Sequence, residues 1–148
     1  SKYEHVVSYN PMSTVKSGRK SNIHTYFEWA AVICLQGTRD KKREHQFHTF
    51  YLDGFFTIVA GYGECSNKHA GVSISFALNK FALNNLTQIS FPDNKKIQGR
   101  CLAVRTKRPG KDITYINAYF PPARKDGKPC AIFLLVRDWL LQLLWSLP

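Results

Sequence analysis

Short apolar runs set off by turn residues recur along the chain, a pattern of strands rather than of long helices. His5–Tyr9 (HVVSY) predicts a first strand, closed by Asn10-Pro11. Residues 11–22, rich in Ser, Lys and Gly, predict a loop, and Thr25–Ala31 predicts a short helix leading into Ala31–Gln36. That second strand (AVICLQ) lacks polar alternation, as expected of a strand covered on both faces. Phe47–Leu52, Phe55–Ala60 and Gly71–Phe76 follow, the first two joined by the hairpin dipeptide Asp53-Gly54. Residues 77–96 are polar and irregular, with a turn at Pro92-Asp93. Cys101–Lys107 and Asp112–Phe120 predict a strand pair around Pro109-Gly110. Pro121-Pro122 stops the last strand, a basic loop follows, and a helix begins near Ala131.

No repeat or low-complexity tract interrupts this order, and 148 residues fit one domain, 1–148. Strands followed by scattered helices predict an α/β or α+β layered sheet. From Ala131 to Trp145, 12 of 15 residues are apolar, interrupted by Arg137, Asp138 and Gln142. A membrane span needs roughly 20 such residues, so this run predicts a helix buried on nearly every side. Ser1 lies close before the first strand, and Trp145-Ser146-Leu147-Pro148 ends the chain directly after the apolar helix. We read this as the N-terminal half of a longer domain. Without a covering strand, the helix is expected to promote self-association. There is no signal-peptide pattern or transmembrane run, so a nuclear or cytoplasmic location is expected.

Composition supports a packed core: 44% of residues are hydrophobic and 14% aromatic. The charge changes the picture more. Against 10 Asp+Glu stand 21 Lys+Arg, a formal +11, which favours polyanionic partners such as DNA. A basic knot, Arg39-Asp40-Lys41-Lys42-Arg43, is expected as a solvated loop. Cys34, Cys65, Cys101 and Cys130 lie more than 25 residues apart, without zinc-ligand spacing. Cys34 and Cys101 fall in apolar strands and are read as small buried hydrophobes. His24, His48 and His69 are read as lying in polar or loop contexts, which argues against any of them as a catalytic base.

Four segments occur in a telling order: Ser8-Tyr9-Asn10, Val32–Arg39 (VICLQGTR), Ala70–Ile74 (AGVSI) and Ile116–Pro122 (INAYFPP), with Arg100–Arg105 before the last. Together they resemble the endonuclease/exonuclease/phosphatase superfamily, of DNase-I-like and apurinic-endonuclease type. The chain is most similar in flavour to the endonuclease domain of LINE-type, non-LTR retrotransposons, as found in dinoflagellate genomes. The resemblance implies a two-layer β-sandwich with flanking helices, of which this chain is the N-terminal part. It also implies Mg²⁺-dependent hydrolysis of phosphodiesters in DNA.

Carried over residue by residue, the resemblance puts Asn10 where an Asn helps hold metal and phosphate; an amide oxygen is a hard ligand suited to Mg²⁺. Gln36 matches the Gln before the metal-binding Glu, but Gly37 stands in place of that Glu. Tyr119 matches a Tyr that reaches the scissile phosphate, where a phenol can donate to an oxyanion. Arg39, two residues past Gly37, and Arg124, in the basic loop, are phosphate-binding candidates. The superfamily's Asp-x-Asn and Asp-His pairs would fall beyond Pro148, so the chain by itself is expected to be catalytically incomplete. An alternative is a non-catalytic basic module that holds nucleic acid, with Tyr51, Phe55, Phe56 and Tyr62 as stacking rings or core residues. A third is a hydrolase of the same fold acting on small phosphoesters or lipids.

Overall fold

A computed structural model describes residues 3–41 and 47–148. Its elements run β1 (Val6–Tyr9), α1 (Arg19–Tyr26), β2 (Val32–Gln36), β3 (His48–Leu52), β4 (Phe55–Ala60), β5 (Val72–Ala77), β6 (Leu86–Ser90), β7 (Cys101–Arg108), β8 (Lys111–Ala118) and α2 (Ala131–Ser146). Two 3₁₀ turns, Leu83–Asn85 and Lys95–Ile97, flank β6. Among the described residues these strands form a five-stranded sheet, β1-β2-β5-β4-β3, and a three-stranded sheet, β6-β7-β8. The class is α+β: two sheets face each other and carry a helix on each outer side.

Alternation along β5 explains the layering. Val72, Ile74 and Phe76 point between the sheets, where they join Val32, Cys34, Phe56, Ile58, Leu102 and Val104 in one buried cluster. On the other face of the first sheet, Ile33, Leu35, Phe55 and Ala77 pack against Ile23 of α1 and Ala30. Both faces of β2 are therefore covered, which accounts for its unbroken apolar run. On the outer side of the second sheet, Cys101 and Ile97 meet Val136 of α2, with Ile132, Leu135, Trp139 and Leu140 around them. Burial pushes the thiols of Cys34 and Cys101 up to about 12, as befits small core side chains. Among the described residues no helix is long and apolar enough to cross a membrane.

Several expectations need correction. The first helix spans Arg19–Tyr26 rather than 25–31, so it occupies ground read as loop. Its sequence, RKSNIHTY, has no apolar stripe, and only Ile23 and His24 are buried. Docking of those two residues on the sheet, rather than intrinsic propensity, holds it. Residues 77–96 are not irregular throughout, since β6 lies within them. The last strand stops at Ala118, two residues early.

His24 is not in a polar loop. It is buried, with Nδ1 3.0 Å from the Leu52 carbonyl and Nε2 3.3 Å from Ser75 Oγ. Desolvation pulls its pKa down, opposed by the Leu52 hydrogen bond and by Asp53. In the basic knot, Asp40 is buried, accepts from Thr14 Oγ1 at 3.2 Å and pairs with Lys20 Nζ at 3.4 Å. Lys42 and Arg43 lie outside the described residues. Phe55 and Phe56 are core, while Tyr51 is exposed against Phe56 at 5.0 Å between ring centroids. Finally, α2 is covered on one side only: Leu141, Leu144 and Trp145 are exposed.

Candidate functional site

Because β1 and β2 run parallel, their C-terminal ends emerge at the same edge of the sheet, with Tyr9 opposite Leu35. The next residues are Asn10 and, past Gln36, Gly37. They touch: a β-carbon on Gly37 would lie 2.9 Å from Asn10 Oδ1. Gly37 also has φ +68°, a left-handed conformation that disfavours any L side chain. Asn10 Oδ1 accepts the Met12 backbone N–H at 2.9 Å, an Asx turn that closes the strand end.

The backbone beyond Gly37 packs tightly against two further loops. Thr38 N–H donates to the Gly71 carbonyl at 3.0 Å and Arg39 N–H to Ala70 at 2.9 Å, and Gly71 N–H donates to Gly99 at 2.8 Å. A β-carbon on Gly71 would collide with Thr38 Oγ1, so the close approach depends on glycine. The ends of β2, β5 and β7 thus converge beside Asn10.

Gln36 faces the second sheet. Its Nε2 donates to Asn117 Oδ1 at 2.8 Å and to Ser8 Oγ at 3.0 Å. Asn117, only 2% exposed, donates from Nδ2 to the carbonyls of Leu35 and Ser73, both at 2.8 Å. One amide from β8 therefore fastens the second sheet to two strands of the first. Two residues on, Tyr119 is half-buried against the intersheet core, and its N–H donates to the Arg100 carbonyl at 2.7 Å.

Arg100 is the residue sequence reasoning missed. It is 4% exposed, donates from Nη1 to the Tyr119 carbonyl at 3.1 Å, and lies 4.9 Å from the centroid of the Tyr119 ring. Among the described residues it has no carboxylate partner, and its buried Nε has no hydrogen-bond partner. A buried guanidinium is costly to leave without a counter-charge. Its place directly before an apolar strand was the available signal.

Of the two other arginines, Arg39 sits in this junction through its backbone, whereas Arg124 does not. Arg39 has φ +61° and forms no ion pair among the described residues. Arg124 lies in the loop before α2 and pairs with Asp126 of the same loop at 3.1 Å. Nothing described ties Arg124 to Asn10, Gln36 or Tyr119.

The strand ends therefore gather three amides (Asn10, Gln36 and Asn117), a phenol and a guanidinium, all of them hydrogen-bond donors. They do not fit a divalent ion. Among the described residues no group of three or more His, Cys, Asp or Glu side chains is placed to hold one. Gly37 brings no side-chain oxygen where a carboxylate is implied. Compared with protein-family models and with curated proteins, the chain matches none.

Proposed function

We propose that this chain is part of an endonuclease/exonuclease/phosphatase-type domain, with a DNase-I-like sandwich, that binds the DNA backbone at this edge without cutting it. One observation carries the reading. Asn10 and Gly37 sit side by side, and they are the two positions where the resemblance implies a metal-holding Asn and Glu. The Tyr119 strand is joined to them through Gln36 and Asn117. A charge of +11 supplies the attraction for phosphate. The exposed Asn10 donates to phosphoryl oxygens, the buried Arg100 adds its charge beside the Tyr119 ring, and Tyr119 adds its hydroxyl. Hydrolysis would require an activated water. With Gly37 in the carboxylate's place, these side chains supply neither its base nor a seat for the ion that would acidify it.

Plasmid nicking and a salt series of DNA-binding measurements test this. Supercoiled plasmid should remain uncut in Mg²⁺, while DNA affinity falls linearly in log–log form with salt as counterions are released. Metal-dependent nicking that disappears in Asn10→Ala would overturn the non-cutting half. An absence of DNA binding at low salt would overturn the rest.

A further inference from the structure

Tyr9, the last residue before Asn10, is 45% exposed and stands edge-on to Phe27, with ring centroids 5.6 Å apart. Phe27 touches Tyr26 at 4.8 Å and Trp29 at 6.0 Å. Of these rings, Phe27 backs onto the hydrophobic cluster beneath α1. Tyr26 and Trp29 are 75% and 57% exposed, so the fold gains little from them. A contiguous exposed patch of this kind marks an interaction surface.

The patch is also concave. Tyr9, Asn22, Ile23, Tyr26 and Phe27 line an open hollow of about 320 Å³. Small-molecule sites run from roughly 300 to 1,000 Å³, mostly apolar with a few polar groups. Here the walls are rings, and the exposed Asn22 carboxamide can both donate and accept. Lys16 and Arg19 lie on the segment that leads into α1, on a chain of net charge +11. Aromatic walls on a strongly basic chain are complementary to a base carried on a phosphodiester strand. Tyr9 adjoins Asn10 in the chain, so the hollow lies next to the β1 end.

We propose that the hollow between Tyr9, Tyr26 and Phe27 is a stacking subsite for one unpaired nucleobase of a single-stranded nucleic acid. This rests on the reading of the strand ends as a nucleic-acid-binding edge. Bases of a duplex are already stacked on their neighbours, so the subsite selects single strands.

Fluorescence anisotropy with the whole chain tests it, using labelled oligothymidylate and an abasic deoxyribose-phosphate oligomer of equal length. Oligothymidylate should bind on the order of ten-fold more tightly, the contribution of stacking one base. Tyr9→Ala and Tyr26→Ala should each erode that preference while leaving affinity for the abasic oligomer unchanged, and Tyr26→Phe should keep it. Equal binding of the two oligomers by the unsubstituted chain would overturn the subsite and leave backbone binding standing. A preference that survives both alanine variants would also overturn it. Binding of neither oligomer would overturn the nucleic-acid reading together with the subsite.

Discussion

Asn10 and Gly37 meet across the ends of two parallel strands, the amide oxygen of one 2.9 Å from where a β-carbon of the other would stand. Any side chain at 37 meets both that oxygen and a φ of +68°. The backbone conformation alone costs an L-residue about 1–2 kcal/mol. Gly37→Ala should therefore lower stability by about 1–3 kcal/mol, seen as a lower urea midpoint with an unchanged slope. Gly37→Glu should lose as much and still leave plasmid uncut. Mg²⁺-dependent cutting by Gly37→Glu would show that one carboxylate was the only missing part.

Acid should unfold the protein through two windows with the same sign. His24 has a folded pKa below its ordinary value of 6.5, because burial disfavours its charge. Its contribution is complete above 6.5 and begins to fall as pH drops below that. Glu4 is held at about 2 instead of 4.5, chiefly by its hydrogen bond from Arg108 and also by Lys111. The Arg108 contacts are 2.7 and 2.9 Å. Glu4's contribution is complete above 4.5 and disappears on the way to about 2. In denaturation series across pH, His24→Gln should flatten the upper window and Glu4→Gln the lower. A profile unmoved by either substitution would refute both assignments.

Thiol reactivity should separate the cysteines. Cys34, Cys65 and Cys101 are buried, and Cys130 is partly exposed at the start of α2. A chromogenic disulfide reagent at mildly alkaline pH should titrate one thiol quickly in the native protein and the remainder only on unfolding. Rapid modification of Cys34 or Cys101, located by peptide mapping, would contradict the packing described.

Leu141, Leu144 and Trp145 form a stripe on the uncovered side of α2, with Trp145 88% exposed. Sedimentation equilibrium should show association that grows with concentration, and Leu141→Lys with Trp145→Lys should shift it to monomer. A chain that is monomeric at every concentration without those substitutions would refute this.

The sequence made some of this legible and hid the rest for identifiable reasons. The runs at β2, β4, β5 and β7 declared themselves because those strands are buried along most of their length. Asp53-Gly54 announced its hairpin, and both residues have positive φ. By contrast, α1 carries no apolar period, so only the sheet beneath Ile23 and His24 makes it a helix. The strand β6 (LTQIS) is short and half-exposed, and reads like the polar segment around it. At the site, Asn10 and Gly37 could be read from motif order. The burial of Arg100 and the three hydrogen bonds of Asn117 could not, because both are tertiary relationships between residues distant in the chain.

That last amide has a consequence for the order in which the protein folds. The β7–β8 hairpin closes locally around Pro109-Gly110, but Asn117 must find Leu35 and Ser73, which lie 82 and 44 positions away in the chain. Closing loops of that length is entropically costly, so the contact should form after the hairpin and late in sandwich closure. Asn117→Ala, which removes three hydrogen bonds at about 1 kcal/mol each, should then accelerate unfolding while scarcely slowing refolding, a φ-value near zero. A stopped-flow chevron in which the refolding arm drops instead would place this residue in the folding nucleus. The joint between the sheets would in that event be the first part of the architecture to assemble.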